Sequence, residues 1–158
     1  VRATGGNNAC RNLVLNTYAA SADPDALKHF VLPQDSVKDH LIAEVHSYAP
    51  YRFAFDMDNP SDQQKKFDSS CEGEVKWIIS NLNDLLVKKG IPVIIGEYGA
   101  TSKAEEEEMA KQAACYVSTA REYGIKCFYW MALSDGEDRS RLKWTKPLLK
   151  DAIISASR

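Results

Sequence analysis

The sequence predicts an α/β protein built from parallel β-α units. Short apolar segments rich in β-branched and aromatic residues alternate along the chain with longer segments whose apolar residues recur at helical spacing. The two later apolar segments are almost continuously hydrophobic, as is typical of parallel strands that are covered on both faces. With 158 residues, the chain has the length of one compact domain.

Four short segments are predicted as strands, each bounded by turn-forming residues: 12–18, 40–48, 92–98 and 126–131. In the order strand, helix, strand, helix, consecutive strands run parallel. The connection between the first two strands is less regular than the later ones. Residues 50–70 are polar and aromatic and are predicted to form a long loop, a kind of segment that is often functional.

Three helices are predicted after the second strand. The first covers residues 74–89 and ends at Gly90, because glycine favours the position that follows a helix. The second begins with Ser102 as its N-cap, and Glu105 completes a capping box. It ends at Gly124, and a last helix covers residues 147–156.

A run of four glutamates, at residues 105–108, falls in the first turn of the second helix. Negative charge is favourable there, because the amino end of a helix carries partial positive charge. The run is therefore interpreted as a solvated helix start and not as a metal site.

The composition excludes several classes of protein. The formal net charge is −2 and the charges are mixed along the chain, so no basic patch predicts a nucleic acid partner. No apolar run approaches the length of a membrane span, so no membrane partner is predicted. The four cysteines are far apart and form no Cys-x-x-Cys pair, which disfavours a zinc site or a redox motif.

In parallel α/β folds, ligands bind at the carboxyl ends of the strands. The second predicted strand ends in His46 and Tyr48, the third in Glu97, and the fourth in Trp130. A carboxylate with aromatic rings and hydrogen-bonding groups suits a carbohydrate, because sugars present apolar C–H faces and many hydroxyl groups. We therefore expect these four side chains to converge on one site.

Each of these residues also has a structural interpretation. Glu97 follows a buried strand, where a carboxylate must be paired or hydrogen-bonded, and a neighbouring loop could satisfy it. His46 could be a satisfied histidine of the core or the rim, and Trp130 could serve packing alone. Glu44 shares strand parity with His46 and Tyr48 and is interpreted as a structural partner deeper in the same interior.

Four segments of the chain resemble glycoside hydrolase family 5. The segment Ile-Ile-Gly-Glu-Tyr-Gly at 94–99 resembles the nucleophile segment on the seventh barrel strand of that family. The segment Val-His-Ser-Tyr-Ala-Pro at 45–50 resembles the His-x-Tyr segment on the sixth strand. Phe-Tyr-Trp at 128–130 resembles the eighth strand, and residues 4–8 with 11–13 resemble the approach to the fifth. The similarity covers essentially the whole chain, in order.

The resemblance implies parallel (β/α) units that correspond to strands 5–8 of a TIM barrel. Residues 1–158 would then be the C-terminal half of the catalytic domain of a retaining endo-β-1,4-glucanase acting on β-glucan. Glu97 would be the nucleophile, His46 and Tyr48 would bind substrate and orient the nucleophile, and Trp130 would stack on a glucosyl ring. The resemblance implies no metal or organic cofactor and a secreted or cell-surface location.

One departure from the family pattern bears on activity. The acid/base of the family is a Glu in an Asn-Glu segment on the fourth strand, and no Asn-Glu occurs in this sequence. The chain also begins at Val1 without a signal-peptide pattern, so we expect a piece of a longer protein that is inactive alone. A half-barrel exposes strand edges and an apolar face, which predicts a partner: the N-terminal half of the barrel or a second copy in a homodimer.

One other interpretation remains open, and another is disfavoured. The chain could be a non-catalytic carbohydrate-binding or scaffold half-barrel that self-associates. A small protein of flavodoxin-like topology is disfavoured, because no glycine-rich phosphate loop follows the first strand. The sequence does not choose among cellulose, mixed-linkage glucan, xyloglucan and mannan, all of which family members hydrolyse.

Overall fold

The computed structural model describes the chain except for residues 56–63, 102–103, 131–136 and 139–142. Its centre is a four-stranded sheet in chain order, in which every neighbouring pair is parallel. The predicted parallel α/β fold is thereby confirmed. The strands are β1 (Leu13–Ser21), β2 (Leu41–His46), β3 (Val93–Tyr98) and β4 (Lys126–Tyr129).

In the described parts of the chain, five α-helices connect and follow these strands: α1 (Pro24–Lys28), α2 (Tyr51–Ala54), α3 (Ser69–Leu85), α4 (Glu106–Glu122) and α5 (Pro147–Ala156). A short antiparallel pair, β5 (Glu137–Asp138) with β6 (Lys143–Trp144), precedes α5. The described residues also include three 3₁₀ turns, at Arg2–Thr4, Gly6–Ala9 and Val87–Lys89. None of the helices in the described ranges is both long and apolar enough to cross a bilayer.

The predicted helix boundaries were correct at Gly124 and for α5 and wrong at both ends of α3. Gly124 (φ 73°) adopts the left-handed conformation after α4, and α5 has its predicted bounds. Gly90 (φ 81°) also adopts this conformation, but it follows the 3₁₀ turn Val87–Lys89, and α3 itself ends at Leu85. The loop predicted over 50–70 instead contains α2 and the start of α3. Asp68 caps α3, because its carboxylate accepts from the backbone N–H groups of Ser70 and Cys71.

Helix α4 starts later than the sequence predicted. Its first residue is Glu106, and Glu105 is the N-cap without a side-chain capping bond. The predicted cap, Ser102, lies outside the described residues, as does Met131, the last residue of the predicted fourth strand. Strand β1 is longer than predicted, and β2 is shorter.

The glutamate run was predicted to be solvated, and this was wrong for Glu108. Its side chain is buried and accepts from the backbone N–H of Phe67 (2.7 Å) and from Lys111 Nζ (2.6 Å). These bonds, that of Lys111 first, lower the pKa of the Glu108 carboxyl below its usual value. Glu106 Oε1 accepts from the backbone N–H of Leu148 (2.7 Å) at the start of α5, so the run joins three segments of the fold.

The two faces of the sheet differ in burial. Paired residues on neighbouring strands share a face, and the pairs Ala43 with Val93 and Val45 with Ile95 are buried under the helices. The opposite face carries the partners Asn16, Glu44, Ile94 and Lys126, one on each strand in order. Its apolar side chains are open to solvent: Val14 (47% exposed), Phe128 (54%) and Trp130 (43%).

Candidate active site

The carboxyl ends of β2 and β3 bring three of the predicted site residues together. Glu97 is the fifth residue of β3, His46 is the last residue of β2, and Tyr48 follows two positions later. Tyr48 Oη donates to Glu97 Oε2 at 2.6 Å. His46 Nδ1 lies 3.2 Å from the same oxygen. The carboxylate is thus held by two neighbours and is partly open to solvent, with its side chain 24% exposed.

Burial, and then the hydrogen bond to the Glu97 carboxylate, raise the pKa of Tyr48 well above its usual value. Tyr48 therefore keeps its proton throughout the range in which proteins are stable, and it remains a donor to Glu97. Both contacts converge on Oε2, and no described residue hydrogen-bonds Oε1. This arrangement fixes the orientation of the carboxylate.

Trp130 stands at the same end of the sheet. Its backbone N–H donates to the carbonyl of Tyr98 at 2.8 Å, which places it beside the residue that follows Glu97. The indole is 43% exposed. The structure therefore places all four predicted site residues at one end of the sheet, with direct contacts among Glu97, His46 and Tyr48.

Glu44 lies directly below this group, and Gly96 makes room for it. A Cβ added at Gly96 would lie 1.8 Å from Glu44 Oε1. The same oxygen is 3.8 Å from His46 Nε2, so the His46 ring stands between two carboxylates. No role was predicted for Gly96 from the sequence; a glycine inside a strand was the signal, since it often marks close approach of another group.

The contact between Glu44 and Gly96 leads to a stability prediction. Gly96→Ala should lower the free energy of unfolding by about 1 kcal/mol, the low end for overpacking, because the atoms that must move belong to a flexible side chain. In a Glu44→Ala background the same change should cost nothing. Urea unfolding of the four proteins of this cycle measures the coupling. Equal effects of Gly96→Ala in both backgrounds would show that Glu44 is not what requires the glycine.

Helix α4 holds the chain ends of both site strands in place. Tyr116 Oη is fully buried, contacts Ser47 Oγ at 2.8 Å and accepts from the backbone N–H of Ala49 at 2.9 Å. One turn earlier, Gln112 Nε2 donates to the carbonyls of Ala49 (3.0 Å) and Gly99 (3.2 Å). No role was predicted for Tyr116 or Gln112 from the sequence. A glutamine and a tyrosine four residues apart on one helix were the available signal.

Within the part of the chain that the structure describes, no group of three or more His, Cys, Asp or Glu side chains could hold a metal ion. The four cysteines are free thiols. What the arrangement offers is a carboxylate oriented by a phenol and an imidazole, beside an exposed indole. These groups can attack an electrophilic carbon and can bind a sugar ring.

Comparison with known proteins identifies relatives along the whole chain. The family model described as Cellulase (glycosyl hydrolase family 5) matches residues 1–136. Endoglucanase B of Neocallimastix patriciarum is 36% identical over 162 aligned residues, which cover 98% of this chain and 33% of that protein. In its matched part, the chain therefore spans about a third of the length of this curated relative.

Solved structures agree with the fold. A glycoside hydrolase family 5 lichenase from Caldicellulosiruptor sp. F32, in complex with cellotetraose, superposes with a TM-score of 0.91 at 34% identity, covering 100% of this chain and 46% of that one. A family 5 enzyme from Prevotella bryantii B14, in complex with a xyloglucan tetradecasaccharide, gives a TM-score of 0.85 at 37% identity, with the same coverages. The predicted correspondence to half of a TIM barrel is thereby confirmed.

Proposed function

The chain belongs to glycosyl hydrolase family 5, the cellulase family, and from this premise we propose that it is the C-terminal half of a retaining endo-β-1,4-glucanase in which Glu97 is the nucleophile. The observation that carries the proposal is the Glu97 carboxylate itself. It stands at the carboxyl end of a parallel strand, oriented by Tyr48 and approached by His46, with one oxygen without a described partner. Relatives whose names describe endoglucanases support the class of reaction.

In the proposed mechanism, Glu97 Oε1 attacks the anomeric carbon of a glucosyl residue and forms a glycosyl ester. The bond from that carbon to the departing oxygen breaks, and a second carboxyl group protonates the oxygen. That second group then takes a proton from water, which hydrolyses the ester and regenerates Glu97. Tyr48 and His46 hold the carboxylate in line for attack, and Trp130 stacks on the glucosyl ring beside the cleaved bond.

The second carboxyl group is proposed to come from the other half of the barrel. A retaining pair stands ~5–5.5 Å apart, so the acid must lie across the substrate from Glu97. Glu44 does not fit this position, because its carboxylate lies over Gly96 and beside His46, on the same side as Glu97. The sequence contains no Asn-Glu segment of the kind that supplies the acid in the family.

The proposed substrate is a β-1,4-linked glucan. The lichenase relative was solved with cellotetraose and the Prevotella enzyme with a xyloglucan oligosaccharide, so both relatives hold glucan chains. The exposed indole of Trp130 and the hydrogen-bonding groups around Glu97 suit such a chain. A secreted or cell-surface location remains a prediction from family membership.

The open face of the sheet supports the proposal of a partner half. Val14 and Phe128 leave apolar surface in water on this face, and such surface promotes association. We propose that the complementary half-barrel covers it in the active enzyme. A second copy of this chain could cover the same face, but two copies would supply no acid/base carboxyl group from the fourth strand.

The test joins the chain to the half of the Caldicellulosiruptor lichenase that it does not cover. This chimera should hydrolyse a soluble β-glucan, and proton NMR should show the β-anomer as the first product, as retention requires. The chain alone should show no turnover. A folded chimera without hydrolysis, or with inversion, would contradict the proposal. Oligosaccharide binding without turnover in both samples would favour a non-catalytic binding protein, and sedimentation of the chain alone would reveal self-association.

A further inference from the structure

Strand β3 carries one more residue than its neighbours at the point where it reaches the candidate site. Val45 of β2 pairs with Ile95, but the next residue of β2, His46, pairs with Glu97. Gly96 is therefore an extra residue relative to β2. Such a β-bulge bends the strand and re-aims the side chains beside it, and bulges are frequent next to active sites.

Strand β4, on the other side of β3, shows the same extra residue. The pairs that flank the bulge on this side are Ile95 with Cys127 and Tyr98 with Tyr129. Two residues of β3 therefore lie opposite one residue of β4. In a regular strand Glu97 would share the face of Ile95, which is buried under the helices. The bulge instead turns Glu97 to the open face of the sheet, beside the last residue of β2.

The space beside the bulge is occupied by the side chain of Glu44. This residue lies two positions before His46 on the same face of β2. The three atoms nearest to a Cβ built at Gly96 all belong to the Glu44 side chain, with the carboxylate carbon and Oε1 among them. The carboxylate therefore takes the place that any other side chain at position 96 would fill, and a residue larger than glycine would displace it.

The Glu44 carboxylate contacts the ring of His46, and that ring contacts Glu97. Glu44 Oε1 is 3.8 Å from His46 Nε2, and His46 Nδ1 is 3.2 Å from Glu97 Oε2. A separation of 3.8 Å is too long for a hydrogen bond, so Glu44 acts on the ring through charge and packing. Each nitrogen of the ring thus faces a carboxylate oxygen, and the ring is held between the two.

We propose that Glu44 is a positioning residue for the nucleophile, and that it acts by holding the His46 ring against the Glu97 carboxylate. The proposal rests on the proposed function, since it concerns the same carboxylate. Without Glu44 the ring can rotate away, and Glu97 then keeps only the hydrogen bond from Tyr48 Oη. A carboxylate held by one neighbour is less well aligned for attack, and small misplacements of reacting groups cost much of the rate.

The kinetic test uses the chimera with the lichenase half and combines changes at positions 44 and 96. Glu44→Ala should lower kcat roughly ten- to a hundredfold and change KM little, because Glu44 acts on the nucleophile and not on substrate binding. Gly96→Ala should have the same effect, because the added methyl group displaces the Glu44 carboxylate. The double variant should be no slower than either single variant.

Ile42→Ala is the matched control for a general loosening of β2. Ile42 lies two positions before Glu44 on the same face of the strand and is also partly buried. Its truncation should leave kcat unchanged. Unaltered kcat in Glu44→Ala, or an equal loss in Ile42→Ala, would overturn the proposal. Losses that multiply in the double variant would also overturn it, since they would show that Gly96 acts without Glu44.

The second test follows the motion of the His46 ring in the 158-residue chain by NMR, so it needs no catalysis. Carbon-13 relaxation at Cε1 should give a high order parameter in the unaltered chain. In Glu44→Ala and Gly96→Ala the value should fall below about 0.6, which is typical of flexible groups. The ring of His29, whose Nδ1 lies 2.7 Å from the carbonyl oxygen of Asp25, is the internal control and should not change.

The two measurements distinguish failure of this proposal from failure of the proposed function. A His46 ring that stays rigid in Glu44→Ala would overturn the proposal, whatever the activity of the chimera. An unaltered chimera without hydrolysis would contradict the proposed function, and the motion of the ring would still decide the role of Glu44. A mobile ring with normal kcat in Glu44→Ala would leave Glu97 as the nucleophile and exclude positioning by Glu44.

Discussion

Glu97→Gln in the chimera with the lichenase half is expected to lower kcat by roughly three to five orders of magnitude, as for removal of a nucleophile in other enzymes. The amide keeps the shape of the side chain, and its oxygen can still accept from Tyr48 Oη, which lies 2.6 Å from Glu97 Oε2. What is lost is the negative charge that attacks the anomeric carbon. Binding of cellotetraose should therefore remain close to that of the unaltered chimera.

Two further variants make this prediction specific. Glu107→Gln removes an exposed carboxylate at the start of α4 and should leave turnover unchanged. Glu97→Ala opens space for a small anion, so added azide should restore bond cleavage and give a glycosyl azide of inverted configuration. An acid/base residue would give the retained azide instead, which would reassign Glu97. Near-normal hydrolysis by Glu97→Gln would exclude it as nucleophile altogether.

Tyr116→Ala is expected to cause the largest loss of stability, about 3–5 kcal/mol of the free energy of unfolding. The change removes a fully buried ring that stacks on Tyr98, with ring centroids 4.8 Å apart. It also removes the acceptor of the Ala49 N–H and the neighbour of Ser47 Oγ, so polar groups in the core lose a partner. Urea unfolding followed by circular dichroism measures the effect.

Tyr116→Phe separates the hydroxyl group from the ring. It keeps the stack on Tyr98 but leaves the buried Ala49 N–H without its acceptor, which should cost about 1–3 kcal/mol. Tyr123→Phe, seven residues later at the end of α4 and only partly buried, is the matched control and should stay within about 0.5 kcal/mol of the unaltered chain. If Tyr116→Phe were as mild as this control, the hydrogen bonds of Oη would not be what holds the Ser47–Ala49 segment.

Much of the fold could be predicted because its signals are local. Hydrophobic runs of strand length, helical spacing between them, and glycines at 90 and 124 each act within a few residues. The wrong predictions have the opposite origin, because they depend on contacts between residues that are far apart in the sequence. Glu108 was interpreted as solvated because its partner, the backbone of Phe67, is 41 residues away and belongs to a segment whose course the sequence does not reveal.

The features of the candidate site divide in the same way, into those with local signals in the sequence and those that depend on distant contacts. By itself the sequence determined that a carboxylate, an imidazole, a phenol and an indole follow consecutive parallel strands, and parallel strands bring their carboxyl ends to one edge. Only the tertiary structure decided which atoms meet. Glu44 reaches over Gly96 across 52 positions, Tyr116 supports Ala49 across 67, and the break in pairing between Asn16 and Ser21 of β1 exists only relative to the register of β2. Strand register and helix packing set these contacts, because they depend on how whole surfaces fit and not on any residue's own preference.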